Sequence, residues 1–255
     1  ATMLTPFAWL GGCVAILSNE EVTCDEATGD TVALATAKLY IEFNATDDDI
    51  GVHGAFDGEA YSELCIYDPA GNQILGIKPQ NQLLDLTISG IFFESREPPG
   101  DEFSYDNLKA AFPEGEYTVR ATTYEGDSMA GAATFTHDVP EAPTITAPDL
   151  AEDEESAVES EVALAGLEIT WNDVTATISG DAATITGYEV IITKEVEDDP
   201  NGFSRPTYDV HVPVDVNTLD VPEDFLEADT VYELEVLALE ASGNQTISVG
   251  FFKTE

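Results

Sequence analysis

The sequence predicts an all-β chain, with two β-sandwiches in tandem behind an extended apolar N-terminal segment. Three observations carry this. Short β-rich runs recur along most of the chain, separated by Gly, Pro, Asn and Asp turns, with no sustained helical period. A proline-rich segment, "VPEAPTITAPD" at 139–149, divides those runs into two series, because prolines prevent continuous strand pairing. Ahead of both, "ATMLTPFAWLGGCVAILSN" holds no charge, and the first charged residue is Glu20. The boundaries that follow are 1–35 for the apolar segment, 36–139 for the first sandwich and 140–255 for the second.

In the first series, "KLYIEFNATDDDIGVHGAFDG" alternates from Lys38 and breaks at an acidic turn closed by Gly51. "YSELCIYDPAGNQILGIKP" is a hairpin signature around Asp68–Asn72. "QLLDLTISGIFFES" supplies one or two further strands. "SYDNLKAAF" predicts a brief helix with Asp106 as N-cap and Leu108, Ala111 and Phe112 on one face. "GEYTVRATTYEGDSMAGAATFTHDV" predicts a last hairpin turning at Glu125–Ser128.

The second series carries a more specific pattern. "APTITAP" reads as a first strand, "LEITWNDV" places Trp171 in a core position, and "ITGYEVIITKEV" turns Tyr188 inward. "FLEADTVYELEVLALEASGNQT" holds Leu226, Thr230 and Tyr232 in a Leu-x-Pro-x-Thr-x-Tyr corner in which Ala228 replaces the proline. These motifs resemble the fibronectin type III domain over roughly 141–255. The resemblance implies an immunoglobulin-like sandwich whose buried tyrosine hydroxyl finds a backbone acceptor at the corner. "FPEGEYTVRATTYEG" can be laid over the same corner with Tyr117 on Tyr232, which predicts a second immunoglobulin-like sandwich. The whole is similar to exported bacterial proteins that contain fibronectin type III domains. That likeness brings no activity, since the fold serves unrelated roles.

Fifty-one Asp and Glu face eight Lys and Arg, for a net charge of -43. Such a surface repels phosphate backbones and anionic head groups, which excludes nucleic acid and membrane surfaces as expected partners. Apolar residues still make up 43%, enough for packed cores. Three cysteines allow three single-bridge pairings. The short segment between Cys13 and Cys24 favours that pair, and a bridge implies an oxidising compartment, hence export. The first residue, Ala1, fits a mature chain after signal cleavage. Met3 to Leu17 is too short to span a bilayer, so no membrane insertion is expected.

Little chemistry is written in the chain. His53, His137 and His211 have no metal-pair spacing and read as ordinary surface or interface residues. "GDSM" places Ser128 at a hairpin turn rather than a strand-to-helix elbow, so no catalysis is expected. Asn44-Ala45-Thr46 and Asn244-Gln245-Thr246 satisfy the glycosylation pattern, which is short enough to recur by chance. "NATDDDIG" sets Asn44, Asp47 and Asp49 on a tight turn with Asp57 one loop onward, a candidate Ca²⁺ site, although not of EF-hand spacing.

An uncharged apolar strip must be buried, either against its own sandwich or in a neighbouring copy. Met3, Leu4, Phe7, Trp9, Val14, Ile16 and Leu17 are the side chains it would insert. The expected function is therefore a non-enzymatic extracellular subunit that partners itself in a filament or surface layer. The alternative is an adhesin or glycan-binding module, which would need exposed aromatics such as Tyr61, Tyr67 or Tyr105.

Overall fold

The computed structural model describes residues 22–26, 30–195 and 205–255. The first half holds β1 (Val32–Ala33), β2 (Thr36–Asn44), β3 (Asp49–Tyr67), β4 (Gln73–Ile77) and β5 (Ile88–Glu94). Helix α1 (Tyr105–Ala111), β6 (Gly115–Thr123) and β7 (Ser128–Phe135) complete it. The second half holds β8 (Ile145–Ala147), β9 (Glu161–Val162), β10 (Glu168–Trp171), β11 (Ile185–Lys194) and β12 (Thr207–Pro213). It ends with β13 (Thr218–Asp220), β14 (Val231–Glu240) and β15 (Gln245–Thr254). The described residues are mostly β-strand, in sheets packed as a β-sandwich fold.

The 19-residue strand β3 shapes the first sandwich. Residues up to Asp57 pair with β2 and β5, Tyr61 pairs with both β5 and β6, and the residues from Glu63 onward pair with β6 and β4. The pairing register shifts between the two segments. Gly58 stands at that break, where an added Cβ would come within 3.0 Å of the Met129 sulfur. Leu39, Ile41, Ile50 and Val52 pack against Tyr117, Ala133 and Phe135, with Leu108 of α1 closing the end.

Local chemistry departs from expectation at two points. Ser104, not Asp106, caps α1, its side chain accepting from the Asn107 amide, while Asp106 pairs with Lys109 in the first turn. The "NQLL" run at 81–84 is a 3₁₀ turn rather than a strand, and the strand begins at Ile88.

In the second sandwich, Trp171, Tyr188, Leu226 and Tyr232 are buried in one cluster with Val190, Leu234 and Phe252. The Tyr232 hydroxyl accepts from the Glu227 amide at 2.8 Å, so the corner offers a donor rather than the expected acceptor. Tyr117 is also buried, and its hydroxyl donates to the Pro113 carbonyl at 3.1 Å.

The two halves share a sheet. Residues Gln245–Ile247 of β15 run parallel to Glu42–Asn44 of β2, making one path β1-β7-β6-β3-β2-β15-β14-β11-β12. The proline-rich connector is fastened to this junction. Thr246 donates to the Pro140 carbonyl and Ser248 to the Pro143 carbonyl, each at 2.6 Å. Asn244, 1% exposed, accepts from the Ile41 amide and donates to the carbonyl and hydroxyl of Thr136.

Candidate functional site

Two regions carry the structural features most relevant to function. The first is where the chain leaves its N-terminal segment. Cys24 is bridged to Cys65, with Cα atoms 5.9 Å apart. This corrects the expected Cys13–Cys24 pair; Cys13 lies outside the described residues. The reason is the hairpin register. Gly76 pairs opposite Cys65, and the missing side chain leaves room for the chain at residue 22, whose carbonyl sits 3.0 Å from where a Cβ would be. Gln73 donates to the Val22 carbonyl at 2.7 Å and the Tyr67 hydroxyl to that of Cys24 at 3.3 Å. A glycine facing a cysteine in a predicted hairpin is the signal that would have revealed this partner.

Around this anchor, β4 and β5 each pair with β3 alone among the described strands. Ile74 of β4, Phe92 of β5 and the intervening Leu83, Leu84 and Leu86 are exposed, Leu86 to 80%. The assembly residues Met3, Leu4, Phe7, Trp9, Val14, Ile16 and Leu17 lie outside the described residues. Of the aromatics a glycan reader would use, Phe92 and Tyr124 are exposed, whereas the three expected ones are not free. Tyr61 is fully buried, Tyr67 lies under Arg120, and Tyr105 donates to the His137 carbonyl.

The second region is the outer face of the shared sheet. His53, expected to be an ordinary surface or interface residue, is 4% exposed. Its Nε2 lies 2.8 Å from Glu97 Oε1 and 3.8 Å from Glu42 Oε1. Burial alone would lower its pKa; the hydrogen bond to Glu97 and the charges of Glu42, Glu97 and Glu94 reverse that and raise it. Glu42 also accepts a hydrogen bond from Gln245 of β15, and burial raises its carboxyl despite His53. Tyr40, beside them, is pushed up to about 12 by burial and then by Glu42, Glu189, Glu94 and Glu97.

Farther along this face Glu189, Asp209 and His211 form a second group, with His211 Nε2 3.2 Å from Glu189 Oε1. Burial, then Glu233, Glu42, Glu189 and Asp209, push the Glu235 carboxyl up to about 7. Beside this second group lies a 690 Å³ cleft lined by Lys38, Tyr40, Glu189, His211, Glu240 and Gln245.

The structure does not bring the four calcium candidates together. Asn44 Oδ1 accepts from the Thr46 and Asp47 amides and its Nδ2 donates to Asp47, so the residue closes its own turn. Asp49 pairs opposite Asn44, whereas Asp57 pairs opposite Thr36 at the far end of the hairpin, about 26 Å away at strand rise.

No protein-family model matches the sequence, and no curated protein matches it. Solved structures match over most of the chain. It is similar to the FN1–FN3 domains of chicken CNTN1, at 12% identity, over 89% of this chain and 69% of that one, with a TM-score of 0.34. A 1.5-MDa bacterial ice-binding adhesin matches at 16% identity over 89% of this chain and 66% of that one, with a TM-score of 0.27. The BSP domain of a biofilm-associated protein matches at 17% over 87% and 30%, with a TM-score of 0.25. Nothing about activity, ligand or partner transfers at such identities and scores.

Proposed function

We propose that this chain is a non-enzymatic structural subunit of an extracellular assembly, and that its apolar N-terminal segment connects one copy to the next. The observation that supports this best is the Cys24–Cys65 bridge. It fastens the chain directly after the uncharged segment to a central strand, beside two strands that pair on one side only among the described residues. A connector under load needs such an anchor, and a disulfide persists in the oxidising conditions of export. An exposed strand side offers backbone donors and acceptors to an incoming strand, while alternate apolar side chains fill pockets. The two sandwiches, joined through β2 and β15, form a continuous path from that anchor to the C-terminal strand.

The test is size-exclusion chromatography with negative-stain microscopy of the full chain and of a variant lacking residues 1–19, both retaining Cys24. The full chain runs as large species and the deletion as a monomer. A full chain that stays monomeric at high concentration in salt with calcium overturns the reading.

A further inference from the structure

Outside the assembly question, the sheet face holds a group of side chains with metal-ligating chemistry. We propose that Glu42, His53 and Glu97 bind one divalent transition metal ion of the zinc class. The three donors arrive from separate elements, β2, β3 and the loop after β5, and all lie within 4.8 Å of one another. Ligands at about 2.0–2.1 Å around a tetrahedral ion stand about 3.3 Å apart. The observed separations from His53 Nε2, 2.8 and 3.8 Å, bracket that value, so shifts of about half an ångström would seat the ion.

The surroundings hold these donors in place. Glu97 reaches His53 by crossing Gly51, where any Cβ would stand 2.6 Å from the Glu97 Cγ and Oε1. Gly51 thus leaves space that the glutamate fills. The imidazole is fixed by Tyr40, with ring centroids 5.3 Å apart, and by the edge-on ring of Phe92 at 5.8 Å. Gln245 donates to Glu42, a hydrogen bond of the kind that orients ligands from outside the coordination shell.

The donor set also selects the ion. One imidazole nitrogen with two carboxylates suits zinc, manganese or nickel, whereas calcium takes six to eight oxygens. Two carboxylates and a neutral imidazole give a charge of -2, which a divalent ion cancels. The group Glu189–Asp209–His211 also offers one imidazole and two carboxylates but leaves the His211 side chain 66% exposed. It serves as the internal control.

The experiment is calorimetric titration of Zn²⁺ into the chelator-treated full chain, with excess Mg²⁺ and Ca²⁺ present to occupy the acidic coat. Co²⁺ absorption gives a second readout of the coordination. One ion binds per chain and raises the melting temperature; His53→Gln and Glu97→Gln each weaken binding roughly tenfold or more, and His211→Gln leaves it unchanged. Should His53→Gln fail to fold, Glu97→Gln on the loop still decides. Zinc uptake abolished by Mg²⁺ and Ca²⁺, undiminished in the folded variants, or lost in His211→Gln, overturns the proposal.

Discussion

Asn244 matches a glycosylation pattern, yet it is buried and joins the halves through three hydrogen bonds. Its role was not legible because a local pattern carries no information about a partner two hundred positions away. Removing it leaves the Ile41 amide and the Thr136 carbonyl unpaired in a dry junction. Asn244→Ala is therefore expected to cost about 1–3 kcal/mol, read as a lower midpoint in urea unfolding. The cysteines allow a cleaner test. Cys65→Ser opens a loop with a sequence separation of 41 and is expected to cost about 4 kcal/mol, whereas Cys13→Ser leaves the bridge intact on a mass spectrum under non-reducing conditions. Chain proximity favoured Cys13; strand register favoured Cys65, and register decided. Tyr117, Tyr188, Tyr232 and Trp171 were legible because an aromatic in an alternating strand faces one side only, whereas the burial of Tyr61 was not. His53 was not, because its partners come from β2 and from a loop after β5.

At the scale of elements, alternation was read correctly wherever one face of a strand met a core. Strand β14 shows why, with Tyr232, Leu234, Val236 and Ala238 inward and Glu233 and Glu235 outward. What alternation could not show is that this outward face continues onto β2 and is half-buried there. Glu235 consequently sits near Glu233 on its own strand, Glu189 on β11, Asp209 on β12 and Glu42 on β2, with its carboxyl raised from 4.5 to about 7. A group with a raised folded-state pKa stabilises fully below its unfolded value. That contribution fades as pH climbs through about 7, because the buried carboxylate must then carry charge among like charges. The effect is on the order of 3 kcal/mol. Glu235→Gln is expected to raise the melting temperature at pH 8 and to change it little at pH 4, as differential scanning calorimetry would record. Equal shifts at both pH values would show that the residue ionises as if in water. The short elements were harder to read. The 3₁₀ turn at 81–84 and the Ser104 cap depend on single backbone angles that hydropathy does not encode.

For the whole molecule, the all-β class was visible in the spacing of turns and prolines, but the sheet shared between the two halves was not. The parallel pairing of β2 with β15 spans two hundred positions and involves three residue pairs, too few to leave a periodic trace. The fused body then carries -43 with eight basic residues, so any two copies repel before an apolar segment can engage. At 0.01 M ionic strength the screening length is about 30 Å, comparable with a domain, and at 1 M it is about 3 Å. Apolar burial weakens little over that range, so salt changes the repulsion far more than the attraction. Assembly by the N-terminal segment is thus expected to be suppressed in dilute buffer and to appear as salt rises, with divalent ions effective at lower concentration than sodium. Light scattering across a salt series measures this, with the variant lacking residues 1–19 staying flat throughout. Scattering that falls with salt would mean that copies meet through charge pairs rather than an apolar strand, and would move the contact away from the segment that carries no charge.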